Sequence, residues 1–94
     1  MRSYEMVFIA HPELEGDEMT ALVGDIETLI ERQEGTVKEI EPWGRRRLAY
    51  PIQDQREGQY VMFHVDMPPQ GVSAVERGLH LMESVLRHLI VREE

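Results

Sequence analysis

One amphipathic helix set among period-two segments restricts this chain more than any other feature. In residues 17–34, Met19, Leu22, Val23, Ile26, Leu29 and Ile30 recur at helical spacing and form a single apolar stripe. Such a stripe must be buried against something, and the segments around it read as strands. Residues 3–10 place Tyr4, Met6, Phe8 and Ala10 on one side and Glu5, Val7 and Ile9 on the other. Apolar residues on both sides mark an interior strand. His11-Pro12 stops it, because proline lacks a ladder donor and restricts the residue before it. Asp17 is the expected N-cap of the helix, and Gly35 sits where a left-handed C-terminal cap belongs.

A second strand begins at Thr36. Val37 and Ile40 are three apart, so alternation fails and a bulge is expected near Pro42 or Gly44. Alternation resumes with Arg46, Leu48 and Tyr50 against Arg45, Arg47 and Ala49, and Pro51 ends the strand or marks an edge. Residues 53–57 form a polar turn. Gly58 opens a third strand in which Val61, Phe63 and Val65 alternate with Tyr60, Met62 and His64, closed by Pro68-Pro69. Val72, Val75, Leu79 and Met82 are again in helical register. Beyond them two readings stand. Leu86 and Leu89 extend the helix to residue 90, or the helix ends near Leu81 and residues 85–92 form a fourth strand, favoured by Leu89-Ile90-Val91.

The order strand, helix, strand, strand, helix, strand implies an α+β, ferredoxin-like βαββαβ fold. Its four-stranded antiparallel sheet carries two helices on one face. Ninety-four residues make one domain, spanning 1–94. Met6, Phe8, Leu48, Tyr50, Val61, Phe63 and Ile90 are expected to face the helices. Val7, Ile9, Tyr60, Met62, Leu89 and Val91 then remain on an uncovered face, an apolar patch suited to a partner or to a second copy.

Charge is unevenly placed. The chain carries a net −8, yet residues 45–57 sum to +2, while residues 1–44 sum to −8 and residues 58–94 to −2. The positive segment holds Arg45-Arg46-Arg47, flanked by Trp43 and Tyr50. Guanidinium groups beside stacking rings suit a polyanion with unpaired bases. The alternative is a charged strand edge that resists aggregation. Tyr50, on the side of Leu48, reads as core. Arg56-Glu57-Gly58-Gln59-Tyr60-Val61-Met62-Phe63 matches only the second half of an RNA-recognition-motif signature.

No catalytic residue, cofactor or metal site is expected. His11, His64, His80 and His88 show no ligand spacing, the serines and threonines lack a nucleophile-elbow context, and no glycine-rich phosphate loop is present. There is no cysteine. A cytoplasmic, membrane-free protein without a small-molecule substrate is the expectation.

The chain resembles the bacterial small-subunit (30S) ribosomal protein six family over its whole length. The resemblance is carried by Met1-Arg2-x-Tyr4-Glu5, His11-Pro12, Gly35-Thr36-Val37 and the block Trp43-Gly44-Arg45-Arg46-Arg47-Leu48-Ala49-Tyr50-Pro51-Ile52. Gly58-x-Tyr60 and Val85-Leu86-Arg87-His88-Leu89-Ile90-Val91-Arg92 complete it. It implies a fourth strand at the C-terminal end and a structural, non-catalytic role. That role is binding the central domain of small-subunit rRNA as a heterodimer with small-subunit ribosomal protein eighteen. By motif match, Arg2, Arg45, Arg46, Arg47, Arg87, Arg92, Trp43 and Tyr60 are the expected RNA-side residues. Val7, Ile9, Met62, Leu89 and Val91 are the expected partner-side residues. Many relatives continue into a tail after the last strand, whereas this chain stops at Glu93-Glu94, so tail-mediated contacts are expected to be lacking.

Overall fold

A computed structural model describes residues 1–93. The elements run β1 (Arg2–Ala10), α1 (Gly16–Glu31), β2 (Thr36–Ile52), β3 (Gln55–Met67), a 3-10 turn (Pro69–Gly71), α2 (Val72–Leu81) and β4 (Val85–Arg92). The strands form one antiparallel sheet in the order β2-β3-β1-β4. Each helical crossover therefore skips one strand, which is the split arrangement expected of the ferredoxin-like order. The chain turns at Met82 into β4, so the strand reading of residues 85–92 is the correct one.

The core lies between the helices and one sheet face. Met6, Phe8 and Ala10 from β1 meet Val61, Phe63, Val65 and Met67 from β3. Phe8 and Phe63 pack edge to face, with centroids 5.5 Å apart. Leu22, Ile26 and Ile30 from α1 and Val75 and Leu79 from α2 close this layer. A helix of ten residues is marginal in isolation, so this burial is what holds α2.

The helix boundaries differ from the sequence expectation. Glu15, not Asp17, is the N-cap of α1, and its backbone N–H donates to the Glu18 side chain at 2.8 Å. Carboxylates at Asp17 and Glu18 still favour that terminus through the helix dipole. At the other end, Glu34 takes the left-handed conformation (φ 63°). Gly35 is needed for space instead, since a Cβ there would lie 2.6 Å from Ile30 Cγ2.

Bulges interrupt β2 between Val37 and Glu39 and between Pro42 and Gly44. Gly44, at φ 81°, provides the second one. The strands continue to a two-residue turn at Gln53-Asp54, both at positive φ, so β3 begins at Gln55 and not at Gly58.

Candidate functional site

The uncovered sheet face divides into two ends of opposite character. Cross-strand pairing places Val7 opposite Met62 and Leu89, and Ile9 opposite Tyr60 and Arg87, all on this face. Ile9 is only 8% exposed, because it packs with Leu48 and Leu86 in a second apolar cluster bordered by Ile52 and Tyr60. Leu89 and Val91 remain 60% and 47% exposed. A groove of about 370 Å³ runs along this cluster, lined by Val7, Ile9, Leu48, Tyr50, Tyr60, Arg87 and Leu89 among others.

Leu48 and Tyr50 correct the sequence reading, which turned both toward the helices. Each bulge in β2 inserts one residue and reverses which side the next residues face. Pro42 pairs with Val61 on the helix side; after the extra residue Trp43, Gly44 pairs with Tyr60 on the open side. Arg46, Leu48 and Tyr50 follow Gly44 onto the open face. Tyr50 is 56% exposed and is not core.

At this end aromatic rings carry cations. Trp43 stacks on Tyr60, with centroids 6.2 Å apart and planes 15° from parallel. The Arg46 guanidinium lies 5.5 Å from the Trp43 ring centroid, on the same assembly. Across the groove, Arg87 sits 5.8 Å from the Tyr50 ring centroid and donates to its hydroxyl. Planar cations and rings presented together can pair with phosphate and stack on bases.

Strand alternation separates the three consecutive arginines. Arg46 is on the open face, whereas Arg45 and Arg47 pair with Gln59 and Glu57 on the other. Arg45 donates to the Pro12 carbonyl at 2.6 Å and faces Glu57 at 3.7 Å. With the Gln59 amide, which donates to the His11 and Leu14 carbonyls, it fastens the loop between β1 and α1. Arg2 and Arg92 pair with Met67 and Tyr4 at the far end of the sheet. That is roughly 20 Å along the strands from the Trp43 stack. The eight expected RNA-side residues therefore form one compact group, Trp43, Arg46 and Tyr60, with Arg87 across the groove. The other four are dispersed around it.

The far end of the open face is acidic. His64 is a direct cross-strand partner of Glu5 and Glu39. Its Nε2 hydrogen-bonds the Glu41 carboxylate, and its Nδ1 lies 4.0 Å from Glu5 and 3.9 Å from Glu93. The Glu41 hydrogen bond raises the imidazole pKa above its ordinary value, and the charges of Glu41, Glu39 and Glu93 act in the same direction against desolvation. Nearby, the Ser3 hydroxyl donates to Asp66 at 2.6 Å and Lys38 lies 3.1 Å from it, so the Asp66 pKa is lowered. The sequence reading found no acidic partner for His64. The partners come from positions 5, 39, 41 and 93, and only the sheet register unites them.

Comparison with known proteins accords with this architecture. The family model described as ribosomal protein S6 matches residues 3–92. The small ribosomal subunit protein bS6 of Desulforudis audaxviator is 37% identical over 94 residues, covering all of both chains. That of Natranaerobius thermophilus is 40% identical over 94 residues, covering all of this chain and 98% of its own. The crystal structure of 30S ribosomal protein S6 from Thermotoga maritima superposes with a TM-score of 0.91 at 27% identity, covering 98% of this chain and 87% of that one. Among the described residues, no helix is long and apolar enough to cross a membrane. The sheet order, the full-length match and these relatives agree: the chain belongs to the ribosomal protein S6 family of the small ribosomal subunit.

Proposed function

We propose that this structural protein of the small subunit binds the central domain of small-subunit rRNA as a heterodimer with small-subunit ribosomal protein eighteen. One observation carries the reading: a cation-capped aromatic stack, Arg46 on Trp43 on Tyr60, borders an exposed apolar groove on the same sheet face. The stack offers charge and ring surface to RNA, while the groove offers area to a protein. On this reading Val7, Ile9, Met62, Leu89 and Val91 belong to the partner side. Arg46, Trp43, Tyr60 and Arg87 form the centre of the RNA side. Arg45, Arg47, Arg2 and Arg92 add phosphate contacts at its periphery.

A net charge of −8 leaves room for only a small RNA footprint. With about three to five phosphates neutralised, log affinity falls with log salt at a slope of about −3 to −5. A mobility-shift titration against the central domain, with and without the partner, tests this. The expected result is weak binding alone and strong binding with the partner. Tight, partner-independent binding with a steep salt slope would overturn the reading.

A further inference from the structure

We propose that the acidic end of the open face is a site for a zinc ion, held by His64 Nδ1 and the carboxylates of Glu5 and Glu93. Three observations converge on it. First, one ligand atom from each of these side chains lies within 4.8 Å of the other two. The Nδ1–carboxylate separations of 4.0 and 3.9 Å are long for hydrogen bonds. Donors sharing a tetrahedral zinc ion stand about 3.4 Å apart, so each carboxylate needs to close by only about half an ångström.

Second, Glu41 occupies the other imidazole nitrogen. A carboxylate on Nε2 directs Nδ1 toward the ion and strengthens it as a donor, the outer-shell arrangement that metal-binding histidines use. The same contact disfavours the competing grouping of Glu39, Glu41 and His64, which would have to break it. Third, the backbone under the ligands is fixed but their charge is not balanced. Glu5 and His64 are register partners, and the Glu93 backbone N–H donates to the Ser3 carbonyl at 2.9 Å. Among the described residues, no lysine or arginine makes an ion pair within 4.0 Å with Glu5, Glu39, Glu41 or Glu93, whereas His64 does so with Glu5, Glu41 and Glu93. An imidazole in the donor set favours zinc over magnesium or calcium, and water completes the coordination.

The test is calorimetric titration of Zn²⁺ into the chelator-treated full chain at mildly alkaline pH, with imidazole NMR as a second readout. One saturable site is expected, with His64 coordinated through Nδ1 and little competition from equimolar Mg²⁺. Glu5→Gln and Glu93→Gln should each weaken binding about tenfold or more, and Glu41→Ala should weaken it by a similar factor. His80→Ala should leave it unchanged. The proposal is overturned if no saturable binding occurs, or if Mg²⁺ competes equally. It is equally overturned if binding survives Glu5→Gln and Glu93→Gln, the signature of an adventitious ion only at the other histidines. Circular dichroism of each variant separates lost binding from lost fold.

Discussion

Trp43, the extra residue of the bulge between Pro42 and Gly44, stacks on Tyr60 across two adjacent strands. An unbulged strand would have paired Trp43 itself with Tyr60 and sent Gly44 and Arg46 to the helix side. The bulge instead pairs Gly44 with Tyr60 and brings Arg46 onto the open face beside the stack. Trp43→Leu removes the platform under Arg46 as well. The expected loss of fold stability is about 0.5–1.5 kcal/mol. The expected loss in RNA complex affinity is larger, roughly 1–3 kcal/mol if a base stacks on the exposed ring. Because Trp43 is the only tryptophan, its emission reports the same contact directly. Quenching should accompany rRNA addition and be weaker in Tyr60→Leu; unchanged emission at saturation would show that no base reaches the ring.

The three arginines should separate in a stability and binding assay. Arg46 and Arg47 make no ion pair within 4.0 Å among the described residues, whereas Arg45 holds the Pro12 carbonyl. Arg46→Glu with Arg47→Glu should leave the melting temperature nearly unchanged and abolish assembly with rRNA and partner. Arg45→Ala should lower stability by about 1 kcal/mol, the scale of one net hydrogen bond, with a smaller effect on RNA. Thermal melts alongside mobility shifts decide it. A stable Arg45→Ala variant with lost binding would reverse the assignment.

Residue order made the fold readable because local pattern and topology agree: one clean helical stripe, three alternating strands and a proline-marked turn allow few arrangements. What stayed hidden depends on single-residue insertions. The bulge at Gly44 was foreseeable from the glycine and proline, but its consequence, the transfer of Leu48 and Tyr50 to the open face, follows only from counting register through it. A bulge in β4 opposite Ile9 and Ala10 likewise turns Leu86 out toward Leu48, while Val85 stays in the core. The His64 cluster was invisible for another reason. Its members are distant in sequence, and no local spacing rule joins position 5 to position 93.

Gly58 lies against Ile9, and a Cβ there would collide with the Ile9 Cγ2 methyl. Gly58→Ala should therefore disturb the apolar cluster of Ile9, Leu48 and Leu86 beneath the groove, costing about 1–3 kcal/mol. Each kcal/mol lowers the melting temperature of a domain this size by about 4–8 °C. Gly24, in the interior of α1 with nothing within 4 Å, is the opposite case. Gly24→Ala should stabilise the protein by about 0.5–1 kcal/mol through helix propensity alone. Paired melts of the two variants should move in opposite directions.

Asp66 links acid stability to the edge of the open face. The Ser3 hydroxyl is the main cause of its lowered pKa, with Lys38 second. Because the folded value lies below the unfolded one, its contribution to stability is fully present above the unfolded carboxylate pKa. It is lost as pH falls through the lower folded pKa. Carboxyl-carbon NMR of the metal-free protein should therefore show Asp66 titrating below the ordinary aspartate range. Ser3→Ala should move it upward toward that range, and Lys38→Met should move it in the same direction. The acid limb of the stability curve should shift to higher pH in Ser3→Ala, because the carboxylate then protonates earlier in the folded state. An Asp66 resonance that titrates at the ordinary aspartate value with Ser3 present would show that the hydroxyl does not hold the charge.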